Sequence, residues 1–306
     1  MKKITPLTQF EVFDLYEAID NRKISCVGYQ HPELCFFRDL DEKIKREAKR
    51  QRFVSLCELY ETVRHHWKKL VDQNKKKNLL LKEVEKRSWL IDLVPFNKEK
   101  EYLIVIGEKD AIEELVDLAN DYLFEKDLEM DRRCKSKECL KALAKLHKKT
   151  GEYCGYPKCC IEAFIKNSVY KKQNKLEDSI VRDLREKYGK IVMENFKKAF
   201  EETKKLETAI ARVVTNFLAG TAEFKWYQFF TICFYPCKVN CKNAEKLSKK
   251  AEGFFIKNNL ADALIRFRVV RFFWILYLLG LIPNWKILIE SINITAEKLE
   301  KSFRKL

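Results

Sequence analysis

The 306-residue chain lacks any apolar run of membrane-spanning length. Its strongest, Phe272 to Ile282, falls well short of the roughly 20 residues a bilayer requires, and Arg266, Arg268 and Arg271 lie just ahead of it. A buried core helix is expected there, with no membrane insertion. No secretory leader is expected either. The start, Met1-Lys2-Lys3-Ile4-Thr5-Pro6, leads into an amphipathic segment with acidic residues, so a cytoplasmic location is expected. Gly107 stands between a strand-like and a helix-like segment with no glycine-rich loop around it, which speaks against a phosphate cradle. Glutamine is scarce beside abundant Lys, Glu and Ile, a balance that resembles proteins of heat-adapted organisms. Structural disulfides are common in the cytosol of such organisms, so eleven cysteines are not readable as metal ligands by count alone. Their spacing has to decide.

What the chain has in excess is positive charge: 61 basic against 45 acidic side chains leave a formal net charge of +16. Such a surplus favours an anionic partner, most simply RNA or DNA, with solubility as the plainer alternative. Basic residues crowd the first third, at Lys43, Lys45, Arg46, Lys49, Arg50 and Arg52, at Arg64-His65-His66-Trp67-Lys68-Lys69, and at Lys75-Lys76-Lys77. Asp41, Glu42, Glu47, Glu58 and Glu61 are interspersed, so a solvated helix face and a phosphate-binding face are both open readings.

Apolar residues recur at helical steps over 10–19 and 40–73. Between them, Arg22 to Cys35 reads as a short strand or loop, and Lys75 to Asn78 as a polar break. Ser88 to Val94 and Tyr102 to Gly107 read as strands joined by a hairpin or longer turn. Helix is expected over 110–124, with Asp110 available as N-cap, and over 136–149 and 158–167. Further helices are expected over 176–185, 191–218, 242–257, 261–279 and 285–304. The expected fold is mainly α with a small β element (α+β) and a bundle-like C-terminal part. It divides into a basic helical region over 1–85, a cysteine-motif α+β domain over 86–260, and helices over 261–306 packed on the core.

Six cysteines gather in two similar turns. Cys154-Gly155-Tyr156-Pro157 runs on to Cys159-Cys160, and Cys233-Phe234-Tyr235-Pro236 runs on to Cys237 and Cys241. Gathered thiolates are the usual way an intracellular protein holds a soft metal or an iron–sulfur cluster. Helices starting just after each turn would stabilise negative sulfur through their exposed N–H groups. Adjacent Cys159 and Cys160 are not expected to bind one metal together. One of them with Cys154, Cys237 and Cys241 gives four thiolates, suited to tetrahedral zinc or a [4Fe–4S] cubane. One of them with Cys237 and Cys241 alone gives three, leaving an iron open to substrate as a Lewis acid or sulfur carrier. The iron–sulfur cluster is the leading reading. Zinc, inert or redox thiols, and disulfides, including a Cys154 to Cys233 pairing, stay open.

Cys134 and Cys139 form another close pair, read as a local disulfide or exposed thiols, or as added ligands. Cys26, Cys35 and Cys57 sit singly among apolar neighbours and read as core. His147, seven residues before Cys154, is a weak candidate ligand or acid/base, and half-buried is the expectation for it. Glu162 is the other weak catalytic candidate, and Glu152 also flanks the turns. His65 and His66 lack a third ligand in reach and do not make a metal site.

The words Gly155-Tyr156-Pro157-Lys158-Cys159-Cys160-Ile161-Glu162-Ala163-Phe164 and Tyr235-Pro236-Cys237-Lys238-Val239-Asn240-Cys241-Lys242-Asn243-Ala244 resemble the signature of an archaeal family filed as domain of unknown function 483. The resemblance covers about 110–250. It implies an archaeal, methanogen-like setting in which oxygen-sensitive clusters survive. It also singles out Cys159, Cys160, Cys237 and Cys241 over Cys154 and Cys233. It brings no reaction with it. The expectation is a cluster-binding protein that meets RNA, such as tRNA, in a modification or sulfur-transfer step. The alternative is a non-catalytic nucleic-acid-binding or assembly protein with structural zinc or disulfides.

Overall fold

The computed structural model describes residues 22–27, 55–95, 102–129, 134–170, 175–220, 236–238 and 241–257. The helices expected over 10–19, 261–279 and 285–304, the front part of the one over 40–73, and the apolar run 272–282 lie outside the described residues. What is described is mainly helical with one small antiparallel sheet, as expected. No helix among the described residues is long and apolar enough to cross a membrane. The chain separates into two compact units, 8–172 and 173–306 together with 1–7.

In the first unit, β1 (Ile24–Val27), β2 (Leu90–Pro95) and β3 (Tyr102–Gly107) form a sheet in the order β1-β3-β2. Both pairings are antiparallel, with Ile24 opposite Gly107 and Val27 opposite Ile104, and with Leu90 opposite Gly107 and Pro95 opposite Tyr102. The central strand is almost wholly buried, which suits its run of Ile and Val.

Helices α1 (Leu56–Asn74) and α2 (Leu79–Lys86) flank the turn that replaces the polar break at 75–78. Ser55 caps α1 by accepting the Glu58 N–H, and the Asp127 carboxylate accepts the Leu56 N–H at 2.8 and 2.7 Å, so two side chains serve donors the first turn leaves unpaired. Asn78 does the same for α2 by accepting from Leu81 at 3.0 Å. Trp67, Leu80 and Val84 share one core with Leu93, Ile104 and Ile106. Tyr60 donates to the Leu93 carbonyl, and Arg64 pairs with Asp92 at 2.6 Å, satisfying the one carboxylate that β2 carries into the interior.

Helix α3 (Lys109–Asp127) follows β3 and packs on β2 and β3 and against α1. Its N-cap is Glu108, without a side-chain cap bond, so Asp110 falls in the first turn and is not the cap. The reason is a distant contact: the Glu108 N–H is tied to the carbonyl of Lys23, the residue before β1, at 2.9 Å, which ends β3 there and starts the helix one residue early. Helix α4 (Lys137–Tyr153) packs along α3, capped by Ser136 and running four residues past its expected end. Helix α5 (Lys158–Phe164) runs into a π-helical turn, Ile165–Tyr170.

In the second unit, α6 (Lys175–Thr203) continues through the break expected between 185 and 191 and packs against α7 (Leu206–Gly220). The chain reverses at Lys204, whose φ is 57°, and Arg212 pairs with Glu202 across the turn. Ala199, Ala209, Ile210 and Val213 are buried. Helix α8 (Lys242–Lys257) has the bounds its periodicity predicts and buries Ala244, Ser248 and Ala251, residues at three- and four-residue steps on one face.

Candidate metal centre

The first cysteine turn is shaped by how α4 ends. Cys154 is its C-cap, and Gly155 follows with φ 71°, the left-handed region that glycine enters without a Cβ clash. The Tyr156 N–H then bonds back to the Gly151 carbonyl and the Gly155 N–H to the Glu152 carbonyl, both at 2.9 Å. This crossed pair of bonds closes the helix and turns the chain through a fixed angle. Pro157, unable to extend the helix, becomes the N-cap of α5, and its carbonyl accepts from Cys160 and Ile161. Cys159 and Cys160 therefore stand in the first turn of α5. Gly151 sets how closely α4 and α5 approach, since a Cβ there would lie 2.8 Å from Ile161 Cγ1.

The second turn presents Cys237 and Cys241 just before α8. The Cys241 N–H bonds to the Lys238 carbonyl at 3.1 Å. The Cys241 carbonyl accepts from Glu245, and its Sγ accepts from the Ala244 N–H at 3.5 Å. Sulfur thus takes the place that a hydroxyl or carboxylate oxygen fills at an ordinary N-cap, where the helix dipole favours negative charge.

The Sγ atoms of Cys159, Cys160, Cys237 and Cys241 all lie within 4.8 Å of one another. Cys159 and Cys160, in adjacent positions, are 3.9 Å apart at sulfur. Cys160 and Cys241 are buried, while Cys159 and Cys237 are half-buried. Four thiols so placed can hold a metal ion. The tetrahedral comparison is direct: zinc–sulfur bonds of about 2.3 Å put their sulfurs about 3.8 Å apart, close to the separation of the adjacent pair. Both sulfurs of Cys159-Cys160 belong to this group.

The remaining candidates lie elsewhere. Cys154 is outside the group, with its Sγ 3.7 Å from that of Cys26, a residue the sequence presents only as core. Cys233 and Cys35 lie outside the described residues. Cys134 and Cys139 are joined in a disulfide and add no ligands. His147 is buried instead of half-buried, edge-on to Phe164 at 5.3 Å, and burial pushes its pKa down to about 4. A neutral imidazole packed in this way is part of the support for α5. Glu162 is exposed and faces Lys158 at 3.9 Å, while Glu152 faces Lys148 at 4.0 Å, both ordinary surface pairs. His65 and His66 meet ring to ring, 6.0 Å apart.

Sequence reasoning missed Gly151 and Arg22. Gly151 sits in a lysine-rich helix where nothing marks a close approach, and Arg22 is a buried cation at the start of a strand with no pattern around it. No protein-family model, curated protein or solved structure matches the chain.

Proposed function

We propose that this is a metal-binding protein whose four thiolates, Cys159, Cys160, Cys237 and Cys241, close around a single zinc ion in a structural site. The observation that carries this reading is the 4.8 Å limit on the separations of the four sulfurs. One ion with tetrahedral thiolates needs a compact set, whereas a cubane places four irons and four sulfides inside its ring of thiolates and spreads them farther. Four thiolates also fill the coordination shell. A sulfur-transfer or Lewis-acid step requires an open position, so this reading favours a centre that holds structure over one that runs chemistry.

The partner we infer is RNA. Support comes from the net charge of +16 and from Lys68, Lys69, Lys76 and Lys77, all exposed at the end of α1 and the turn after it. A polyanion held this way loses affinity steeply as salt rises.

Anaerobic purification followed by zinc, iron and acid-labile sulfide analysis tests the centre, with Cys237→Ser and Cys241→Ser alongside. One zinc per chain, lost in either variant, is the expected result. Iron and sulfide in equal amounts, lost in the same variants, would replace zinc with a cluster. Wild-type protein carrying neither would remove the centre altogether. RNA binding whose affinity does not fall with salt would overturn the partner.

A further inference from the structure

A second pair of sulfurs stands face to face outside the four-thiol group, and the fold takes trouble to put it there. Strand β1 is tied to the end of α4 by the Lys23 N–H, which donates to the Tyr153 carbonyl at 2.7 Å. It is tied to the start of α3 by the Lys23 carbonyl, which accepts from Glu108. Gly107 leaves the necessary space, since a Cβ at that position would fall 2.1 Å from the Lys23 carbonyl oxygen. These contacts set Cys26, on β1, beside Cys154, at the end of α4, with 3.7 Å between their sulfurs.

The two thiols differ in access. Cys154 has no solvent exposure, and Cys26 is half-buried. Arg22, only 6% exposed, donates through Nε to the Ile24 carbonyl at 2.8 Å, while its Nη1 is buried with no hydrogen-bond partner among the described residues. A buried guanidinium N–H left this way favours a nearby anion. The Cys154 thiol is held below its ordinary pKa chiefly by the Cys26 contact; burial opposes this, and Arg22 and the Tyr156 side chain assist. The arrangement pairs an accessible thiol with a shielded one that is readily ionised.

We propose that Cys26 and Cys154 are a redox site, closing into a reversible disulfide by exchange with a low-molecular-weight disulfide. Cys26, the accessible thiol, passes its proton to the neighbouring Cys154 thiolate and attacks one sulfur of R–S–S–R, forming a mixed disulfide and releasing the first R–S⁻, which takes that proton from Cys154. The Cys154 thiolate then attacks the Cys26 sulfur, breaking that mixed bond, forming the internal disulfide and releasing the second R–S⁻, again protonated. Two protein thiols are oxidised by two electrons, and the external disulfide is reduced to two thiols. Disulfide sulfurs sit about 2.0 Å apart, so the pair has to close by about 1.7 Å, within reach of side-chain rotation at a strand and a helix end.

The test uses the full chain as purified, reduced mildly, then titrated with glutathione disulfide, alkylated in denaturant and mapped by mass spectrometry, with metal content followed in parallel. The expected result is the loss of two free thiols per chain, found together in a peptide linking Cys26 to Cys154, with metal retained and both thiols restored by reductant. In Cys154→Ser, glutathione should stay on Cys26 as the mixed disulfide. The proposal is overturned if Cys26 and Cys154 both carry the alkyl label after oxidation, or if either is linked to another cysteine. Should a variant fail to fold, the wild-type map alone decides.

Discussion

Acid should loosen the support of the first cysteine turn through His147. The imidazole is buried on α4 against Phe164 of α5, and its pKa is lowered from 6.5 to about 4 because the interior disfavours its charged form. Unfolded chain binds the proton near pH 6.5 and folded chain only near pH 4, so the unfolded state holds more protons between those values and stability falls as pH drops. The neutral ring's contribution is complete above pH 6.5 and lost progressively down to pH 4. At about 1.4 kcal/mol per pKa unit, the gap between 6.5 and about 4 amounts to about 3–4 kcal/mol in full, and to roughly 2–3 kcal/mol between pH 7.5 and 4.5. Hydrogen exchange on peptides from α4 and α5, measured against urea at both pH values, reads this locally. Cysteine and carboxylate titrations also act in that window, so the quantity to compare is the pH difference in wild type against that in His147→Leu. The variant's loss should be smaller by roughly 2–3 kcal/mol. Equal losses in the two proteins would refute the assignment of a buried, neutral imidazole.

Gly151→Ala places a methyl 2.8 Å from Ile161 Cγ1 and forces α5 away from α4; overpacking of this kind costs about 1–3 kcal/mol, and a chromogenic chelator should draw metal from the variant faster than from wild type. Asp92→Ala leaves the Arg64 guanidinium, whose side chain is 12% exposed, with the exposed Glu61 carboxylate at 3.3 Å as its remaining ion-pair partner, and loss of the charge-assisted hydrogen bonds to Asp92 costs about 1.5–3 kcal/mol, measurable by urea unfolding of the first unit. Gly107→Ala brings a Cβ against backbone that has no flexible end to yield, so β1 must shift; Cys26 to Cys154 disulfide formation should slow in the same glutathione titration, and an unchanged rate would contradict the packing.

The local elements were legible because their causes are local. The Ile and Val run of β3, the Ser136 cap, the glycine and proline after Cys154 and the periodicity of α8 each act within a few residues of the structure they specify. Cap and boundary errors arose where a distant group intervened, as when Lys23, the residue before β1, took the Glu108 N–H and moved the start of α3.

By itself the sequence determined that two turns would carry clustered thiols, that they would precede helices, and that the chain would be mainly helical and basic. Only the tertiary structure decided which sulfurs meet. The sulfurs of Cys159, Cys160, Cys237 and Cys241 lie within 4.8 Å of one another, while Cys154, the first cysteine of its motif, lies against Cys26. Spacing along a chain limits what neighbours can reach, but a contact between residues far apart in sequence depends on where β1, α4 and their hydrogen bonds place the backbone. No short pattern records that placement.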